Sequence, residues 1–217
     1  PEDGIEKSSF SEATNSRGLE QFMHVFQKLQ VQASKILPKV HKELGELVGI
    51  DGSLIDGTMS MIWADYRKGS KKAKVHVGFD LNRSIPRKIH LTDGNGAERP
   101  FVSQILSEGQ TGVLDRGYQC HELFDQWQHD DQLFACRIKA STQKKIISQN
   151  VVPADSIVFF DAMVLLGTAG INQSQQPLRL VGYEVDRVKY WIATNRNDLS
   201  AEQISQAYKL RWNIENF

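Results

Sequence analysis

Apolar and polar positions alternate along the chain in patterns that predict a series of strands and helices. The cleanest alternation runs from Lys74 to Leu81, where every second residue is apolar, so we predict a half-buried strand with His76 on its exposed, polar side. Similar patterns predict further strands at 47–55, 87–92, 111–115 and 133–138, and helices at 19–38, 99–107 and 121–129.

The order of these elements is three strands, a helix, a strand, a helix and a strand, which is typical of a ribonuclease-H-like core. From 139 to 197 short apolar segments separated by polar turns predict a β-rich insertion, and Ser200 to Gln203 form a capping box that begins a final helix. We therefore predict an α/β fold: an N-terminal helical segment (1–43), a mixed sheet with flanking helices (44–138), the insertion (139–197) and the final helix (198–217).

Three acidic residues stand at positions that suit a shared site. Asp51 and Asp115 each follow a short apolar run that reads as a strand. In the last helix Tyr208, Arg211 and Glu215 are separated by three and then four residues, so they share one face. Arg211 and Glu215 could form a simple ion pair, but two strand aspartates and one helix glutamate could also bind a metal.

These motifs resemble the DDE transposases of bacterial insertion sequences, in the group whose last acid lies in a Tyr-x2-Arg-x3-Glu-x6-Lys helix. Asp51, Asp115 in the segment Asp-Arg-Gly-Tyr, and Glu215 stand where that family has its catalytic acids. The segments at 80–86, 91–94 and 193–195 also look like family segments in family order. The resemblance runs from about Leu47 to the end of the chain.

The resemblance implies cleavage and strand transfer of double-stranded DNA at transposon ends by a homodimer assembled on the DNA. It also implies two Mg²⁺ or Mn²⁺ ions, with Asp51 bridging both, Asp115 binding one and Glu215 the other. Such ions prefer oxygen ligands, and a pair of them stabilises both the attacking and the leaving oxygen of a phosphodiester. The family lysine seven residues after Glu215 would fall beyond Phe217, so we expect poor joining of DNA ends until the sequence is extended.

Several other residues are candidates with an alternative left open. Asp56 repeats the Asp-Gly pattern of Asp51, but its odd offset places it on the other strand face, so we favour Asp51. Arg211, Tyr208, Arg116 and Tyr118 are candidate DNA contacts, although Arg211 and Tyr208 could instead pair with Glu215 and pack the helix. The tryptophans that could stack on a displaced base or simply fill the core are Trp63 and Trp191.

Charge is distributed unevenly although the formal net charge is zero. The segment from Tyr66 to His90 has one acid, Asp80, among eight basic residues, and a second basic cluster follows at 137–145. We therefore predict that Lys71, Lys72 and Lys74 contact DNA phosphates. The basic residues of the first segment are Arg67, Lys68, Lys71, Lys72, Lys74, Arg83, Arg87 and Lys88.

Two cysteines, no secretory leader and no long apolar segment indicate a cytoplasmic protein with no membrane role. Two other functions fit the same residues. A metal-dependent nuclease on this fold would cleave DNA without joining it, and a decayed or domesticated copy would bind DNA without catalysis. The presence of all three acids favours the transposase.

Overall fold

A computed structural model describes residues 7–57, 62–67 and 70–215 and divides the chain into two compact units, Pro1–Pro38 and Lys39–Phe217. The first unit contains helix α1 (Lys7–Ile36), which is interrupted at Gly18, where φ is 73° and ψ is 176°. A left-handed φ is easy for glycine because it has no Cβ. Among the described helices none is long and apolar enough to cross a bilayer.

The second unit begins with the strands that the alternation predicts. β1 (Glu46–Asp56), β2 (Lys72–Asp80) and β3 (Ile85–Asp93) form an antiparallel meander. β4 (Gln110–Leu114) pairs in parallel with β1, and β5 (Leu133–Arg137) pairs in parallel with β4. The resulting order β3-β2-β1-β4-β5, together with α2 (Val102–Ile105) and α3 (His121–His129), confirms the predicted ribonuclease-H-like mixed sheet with flanking helices.

The segment after β5 adds four more strands to the same sheet. They are β6 (Lys144–Gln149), β7 (Val158–Leu166), β8 (Leu178–Val185) and β9 (Val188–Thr194), in the order β9-β8-β7-β6. β9 pairs antiparallel with β5, so these strands extend the core sheet directly. The chain then enters α4 (Ala201–Lys209) and the short α5 (Trp212–Glu215).

Two hydrophobic clusters cover the sheet. One packs Phe124 and Trp127 of α3 and Ile105 of α2 against the strands, and the other packs Ile204 and Tyr208 of α4. Each fully buried side chain of this size contributes about 1.5 to 3 kcal/mol through removal of apolar area from water. The predicted capping box at Ser200 is present, with the Ser200 hydroxyl accepting from Gln203 N and the Gln203 side chain accepting from Ser200 N.

The polar turn between β2 and β3 is built around Asn82. Its Oδ1 accepts a hydrogen bond from Leu47 N at 2.8 Å, and its Nδ2 donates to the carbonyls of Val40 and Gly45 at 2.9 and 3.1 Å. Buried backbone groups need such partners because water cannot reach them. Asn82 therefore fixes the chain segment that leads into β1.

The prediction that His76 is exposed was wrong. Its side chain is fully buried, stacks on Phe101 with ring centroids 4.1 Å apart, and places Nε2 3.0 Å from Thr92 Oγ1. Burial lowers the pKa of His76. The alternation correctly identified a strand, but it could not show that Phe101, just before α2, covers the polar face.

A buried ion pair joins β7, β8 and the entry to α4. The Arg179 guanidinium binds both carboxylate oxygens of Asp161 at 2.9 Å and donates to the Leu199 carbonyl at 2.6 Å. Both side chains are at most 10% exposed. Loss of one partner would therefore leave a charge buried without compensation.

We predict that Arg179→Met lowers the free energy of unfolding by about 3 to 5 kcal/mol, because it leaves the Asp161 carboxylate buried without its ion-pair partner. Urea denaturation measures the change. Adding Asp161→Leu should restore much of the loss, and Glu184→Gln, at the exposed pair with Lys189, should change stability by less than about 1 kcal/mol. A loss at Arg179 no larger than that at Glu184 would contradict the prediction.

Candidate active site

Asp51 and Asp115 follow the last pair of residues that joins β1 to β4, Asp51 within β1 and Asp115 directly after β4. The two strands are parallel, and Ile50 is the register partner of Leu114, so each aspartate comes directly after this pair. The negative charge of Asp115 raises the pKa of Asp51, which reflects their proximity. The topology thus brings two of the predicted acids together.

Asp51 sits in an environment that disfavours its charged form. Burial has the largest effect and raises its pKa, while the backbone N–H of Gly52 and the Arg211 guanidinium act in the opposite direction. The carboxylates of Asp115 and Glu98 add to the rise. The net result is a raised pKa, because the Gly52 N–H and Arg211 do not offset burial and the neighbouring carboxylates.

Asp115 is held in place by the turn that follows it. Its Oδ1 accepts a hydrogen bond from Gly117 N at 2.7 Å and caps the tight turn at 116–118. Its backbone carbonyl accepts from the Cys136 thiol on β5 at 3.4 Å. This contact and the cap fix the direction in which the aspartate points.

The helix that carries the third acid is broken just before it. α4 ends at Lys209, and hydrogen bonds between residues three apart, Arg211 N to Tyr208 O and Ile214 N to Arg211 O, tighten the chain there. The single continuous helix expected from the sequence is therefore replaced by α4, a tight turn and α5. Asn216 and Phe217 lie outside the described residues.

Arg211 interacts with both Glu215 and Asp51. Its Nη2 lies 2.5 Å from Glu215 Oε1, and its charge lowers the pKa of Asp51. The Arg211 side chain is 9% exposed, whereas that of Glu215 is 50% exposed. The structure thus brings Glu215 to the aspartates through an arginine, and it does not describe a direct contact between the three carboxylates.

Tyr208 and Arg211 are both buried. Burial raises the pKa of Tyr208 to about 12, against the opposing effect of Arg211. Burial also disfavours the charged form of Arg211, but Tyr208 and Glu215 outweigh it and raise the pKa of the guanidinium. Arg211 therefore stays charged in a largely dry position between the final turn and Asp51.

Sequence reasoning missed Glu98, which follows β3. A side chain at Gly52 would place its Cβ 2.7 Å from Cδ of Glu98, so the carboxyl group lies directly over the glycine that follows Asp51. Glu98 also forms an ion pair of 3.2 Å with Lys74. No spacing rule relates residue 98 to residue 51, and only the approach of Glu98 to Gly52 shows that its charge acts on Asp51.

The two candidate DNA contacts in the turn after Asp115 have different exposures. Arg116 is exposed at the surface. Tyr118 is fully buried in the core, where burial raises its pKa together with the charges of Glu98, Asp51 and Asp115. Direct contact with DNA is therefore open to Arg116 in this conformation, whereas Tyr118 is placed to support the site from beneath.

The three candidate lysines on and before β2 already bind carboxylates. Lys71 Nζ lies 2.5 Å from Asp65, and Lys72 Nζ lies 2.5 Å from Asp56, the rival to Asp51, which is exposed at the end of β1. The third, Lys74, is the partner of Glu98. Contact of these lysines with phosphates would require an exchange of partners.

The two candidate base-stacking tryptophans also differ in exposure. Trp191 is half-buried, packs edge-on against Phe159 and Phe160 at 5.1 and 5.2 Å, and lies under the Lys144 ammonium at 4.5 Å. Trp63 is 52% exposed. Base stacking by either remains a prediction.

Comparison with known proteins identifies the chain. The family model described as the transposase DDE domain matches residues 45–217. The chain belongs to the DDE transposase family. This confirms the family suggested by the acidic motifs.

Individual relatives agree with this assignment. The chain is 27% identical to a probable transposase for insertion sequence element IS5377 from Geobacillus stearothermophilus, over 74% of this chain and 43% of the relative. It is 23% identical to a putative transposase for IS4SA from Synechocystis, over 97% of this chain and 60% of the relative, and 30% identical to putative transposase y4zB from Sinorhizobium fredii, over 70% and 45%. The chain therefore spans about half the length of the curated relatives it matches.

DDE transposases use divalent metals, and the donor chemistry here suits one in part. Asp51 and Asp115 supply oxygen ligands, and the crowding of carboxylates around Asp51 is a strain that a cation would relieve. Within the described residues, however, no group of three or more His, Cys, Asp or Glu side chains is close enough to hold a metal ion. Two of the three expected ligands thus adjoin, while Glu215 is bound by Arg211.

We predict that Asp51→Asn stabilises the metal-free protein near neutral pH. The pKa of Asp51 is raised on folding, so the folded state binds more protons and its stability falls as pH rises from the unfolded pKa to the folded one. The gain in melting temperature over wild type should shrink as pH falls through the raised pKa of folded Asp51 and disappear below the ordinary aspartate pKa of about 3.9. Asp56→Asn, at an exposed acid, should give no such gain, and an Asp51 variant that melts no higher than wild type at neutral pH would refute the effect.

Proposed function

We propose that this chain carries the catalytic domain of a transposase that cleaves double-stranded DNA at transposon ends and joins the freed 3′ hydroxyl to target DNA. The observation that supports it best is the placement of Asp51 and Asp115 on neighbouring parallel strands, each directly after the register partners Ile50 and Leu114. Arg211 connects Asp51 to Glu215. Family membership and this placement of the acids both support the proposal.

In this proposal Asp51, Asp115 and Glu215 would together hold two Mg²⁺ or Mn²⁺ ions. When bound, the ions would neutralise the phosphate and activate the attacking water or hydroxyl. Glu215 must leave Arg211 to act as a ligand, and its half-exposed side chain has room to move. The capped turn after Asp115 keeps that carboxylate fixed meanwhile.

Release of Glu215 would free Arg211 to bind a DNA phosphate beside Asp51. Tyr208 lies against Arg211, with the guanidinium carbon 5.8 Å from the ring centroid, so it would hold the arginine in position. Arg116 would contact the backbone directly, and Tyr118 would support Asp115 from the core. Lys71, Lys72 and Lys74 would add contacts by exchanging their carboxylates for phosphates.

We further propose that the protein acts as a homodimer on DNA in the bacterial cytoplasm. Two transposon ends must be joined to one target, and a dimer supplies one set of acids for each end. The similar transposases named above come from bacteria. Measurement of the complex mass on DNA by light scattering would test the dimer.

A strand-transfer assay with the transposon-end DNA tests the reaction. Asp51→Asn, Asp115→Asn and Glu215→Gln should each abolish both cleavage and joining, whereas Glu108→Gln, at an exposed acid, should retain them. With the sequence extended past Phe217, cleavage without joining would instead identify a nuclease. Activity that survives loss of the three acids would end the proposal.

We predict that Mg²⁺ or Mn²⁺ raises the melting temperature of the chain, because a ligand that binds only the folded state stabilises it by about 2.7 kcal/mol at a hundredfold excess over its dissociation constant. The double variant Asp51→Asn, Asp115→Asn should lose this response. The double variant Asp155→Asn, Glu108→Gln, at two exposed acids, should keep it. An equal response in both double variants would exclude Asp51 and Asp115 as ligands.

We predict that changing Lys71, Lys72 and Lys74 to alanine weakens DNA binding to all sequences alike. The slope of log affinity against log salt should flatten by roughly 0.9 for each phosphate of duplex DNA that the variant no longer binds. Fluorescence anisotropy with two unrelated duplexes measures both effects. An unchanged slope would show that the lysines keep their carboxylate partners on DNA.

A further inference from the structure

A cavity of about 670 Å³ opens beside Asp115, on the α3 side of the site. It is lined by Asp115 and the turn after it, by the start of α3, and by residues from three other segments, Arg99, Lys139 and Asn172. Because Asp115 is itself part of the lining, the cavity is continuous with the proposed catalytic site. Its size lies in the range of pockets that hold ligands of nucleotide size, roughly 300 to 1,000 Å³.

Three exposed cations line this cavity: Arg99, Arg116 and Lys139. Arg99 is held in place, since its Nε and Nη2 both donate to the Gly117 carbonyl, at 3.3 and 3.1 Å. The side chains of Arg116 and Lys139 have no hydrogen bond or ion pair to any residue that the structure describes. The acids in the lining are Asp115, already assigned to catalysis, and Glu122.

A network of polar contacts fixes the cavity wall. Gln119 binds the Thr142 hydroxyl through Nε2 at 2.9 Å and the Lys139 N–H through Oε1 at 2.9 Å, which ties the turn after Asp115 to the segment after β5. His121 Nδ1 lies 2.7 Å from the Asn172 carbonyl. The wall is therefore anchored on both sides, and the side chains of Arg116 and Lys139 project from anchored backbone.

These cations contrast with the lysines near β2. Lys71, Lys72 and Lys74 each have a carboxylate within 3.2 Å, so phosphate binding there must first break an ion pair. Binding of a phosphate by Arg116 or Lys139 would break no such ion pair. Electrostatics therefore favour entry of a phosphate on the α3 side of Asp115.

We propose that this cavity is a subsite for an unpaired DNA strand and that it binds the phosphate next to the one cleaved. The inference rests on the proposed function, because it takes Asp115 as catalytic. A cavity of this size admits a separated strand but not a whole duplex. Among the described residues its lining has no Phe, Tyr or Trp for stacking on bases, so it binds the backbone through charge and without base preference.

Binding of a short fluorescein-labelled single strand and of the matching duplex, in EDTA to prevent cleavage, tests the subsite. Arg116→Ala and Lys139→Ala should each weaken single-strand binding. Together they should flatten the salt slope by about 1.4, at about 0.7 for each phosphate. Lys42→Ala is the matched control and should leave binding unchanged, because Lys42 is exposed before the first residue of β1, whereas Asp51 follows the last residue of β1 that pairs with β4.

Each other outcome has a distinct meaning. Unchanged single-strand binding in the double variant, or loss of duplex binding alone, would overturn the subsite while leaving the transposase proposal standing. A wild-type chain that binds neither DNA form would count against the proposed function itself. Equal melting temperatures of wild type and variants would confirm that these surface changes leave the fold intact.

Discussion

The arrangement of the candidate site depends on one buried arginine, Arg196. Its Nη1 donates to the Leu44 carbonyl before β1 at 3.1 Å and to Thr111 Oγ1 on β4 at 2.6 Å. Its Nε and Nη2 donate to the two carboxylate oxygens of Asp198, which precedes α4, at 2.8 Å each. One guanidinium thus joins the two strands that carry the aspartates to the segment that leads to Glu215. Arginine suits this role because its five donors are fixed in one plane.

The strands after β5 reinforce this arrangement by extending the sheet. β9 pairs with β5, and Asn195, directly after β9, accepts from Phe134 N at 2.9 Å and donates to the Gln132 carbonyl at 2.8 Å. The chain therefore leaves the added strands at a fixed point and enters α4 from there. The buried pair of Arg179 and Asp161 holds the same entry through Leu199. The insertion between Asp115 and Glu215 can therefore be long, because the chain still enters α4 from a fixed position.

Periodicity and local signals predicted the core strands, α3 and the capping box because each depends on neighbouring residues. Two failures, at His76 and Glu98, concern contacts between distant segments, and a third concerns the local geometry of the final helix. His76 was expected at the surface, but Phe101 covers it, and Glu98 was missed because its relation to Asp51 arises only across Gly52. The final helix was expected to be continuous, yet hydrogen bonds between residues three apart tighten it at Arg211. Charge counting likewise could not show that the β2 lysines already have partners.

An arginine supplies the positive charge that faces the acids of the candidate site. Burial and two carboxylate neighbours raise the pKa of Asp51, and Arg211 is the positive group that opposes them while it binds Glu215. A single guanidinium cannot neutralise three carboxylates. The Arg211 side chain is buried, and it faces two of them, Asp51 and Glu215. Binding of divalent ions would remove the reason for Arg211 to face the acids, and DNA phosphate would then be its natural partner. In the proposed mechanism the charge balance of the site would therefore couple the release of Glu215 to the arrival of substrate.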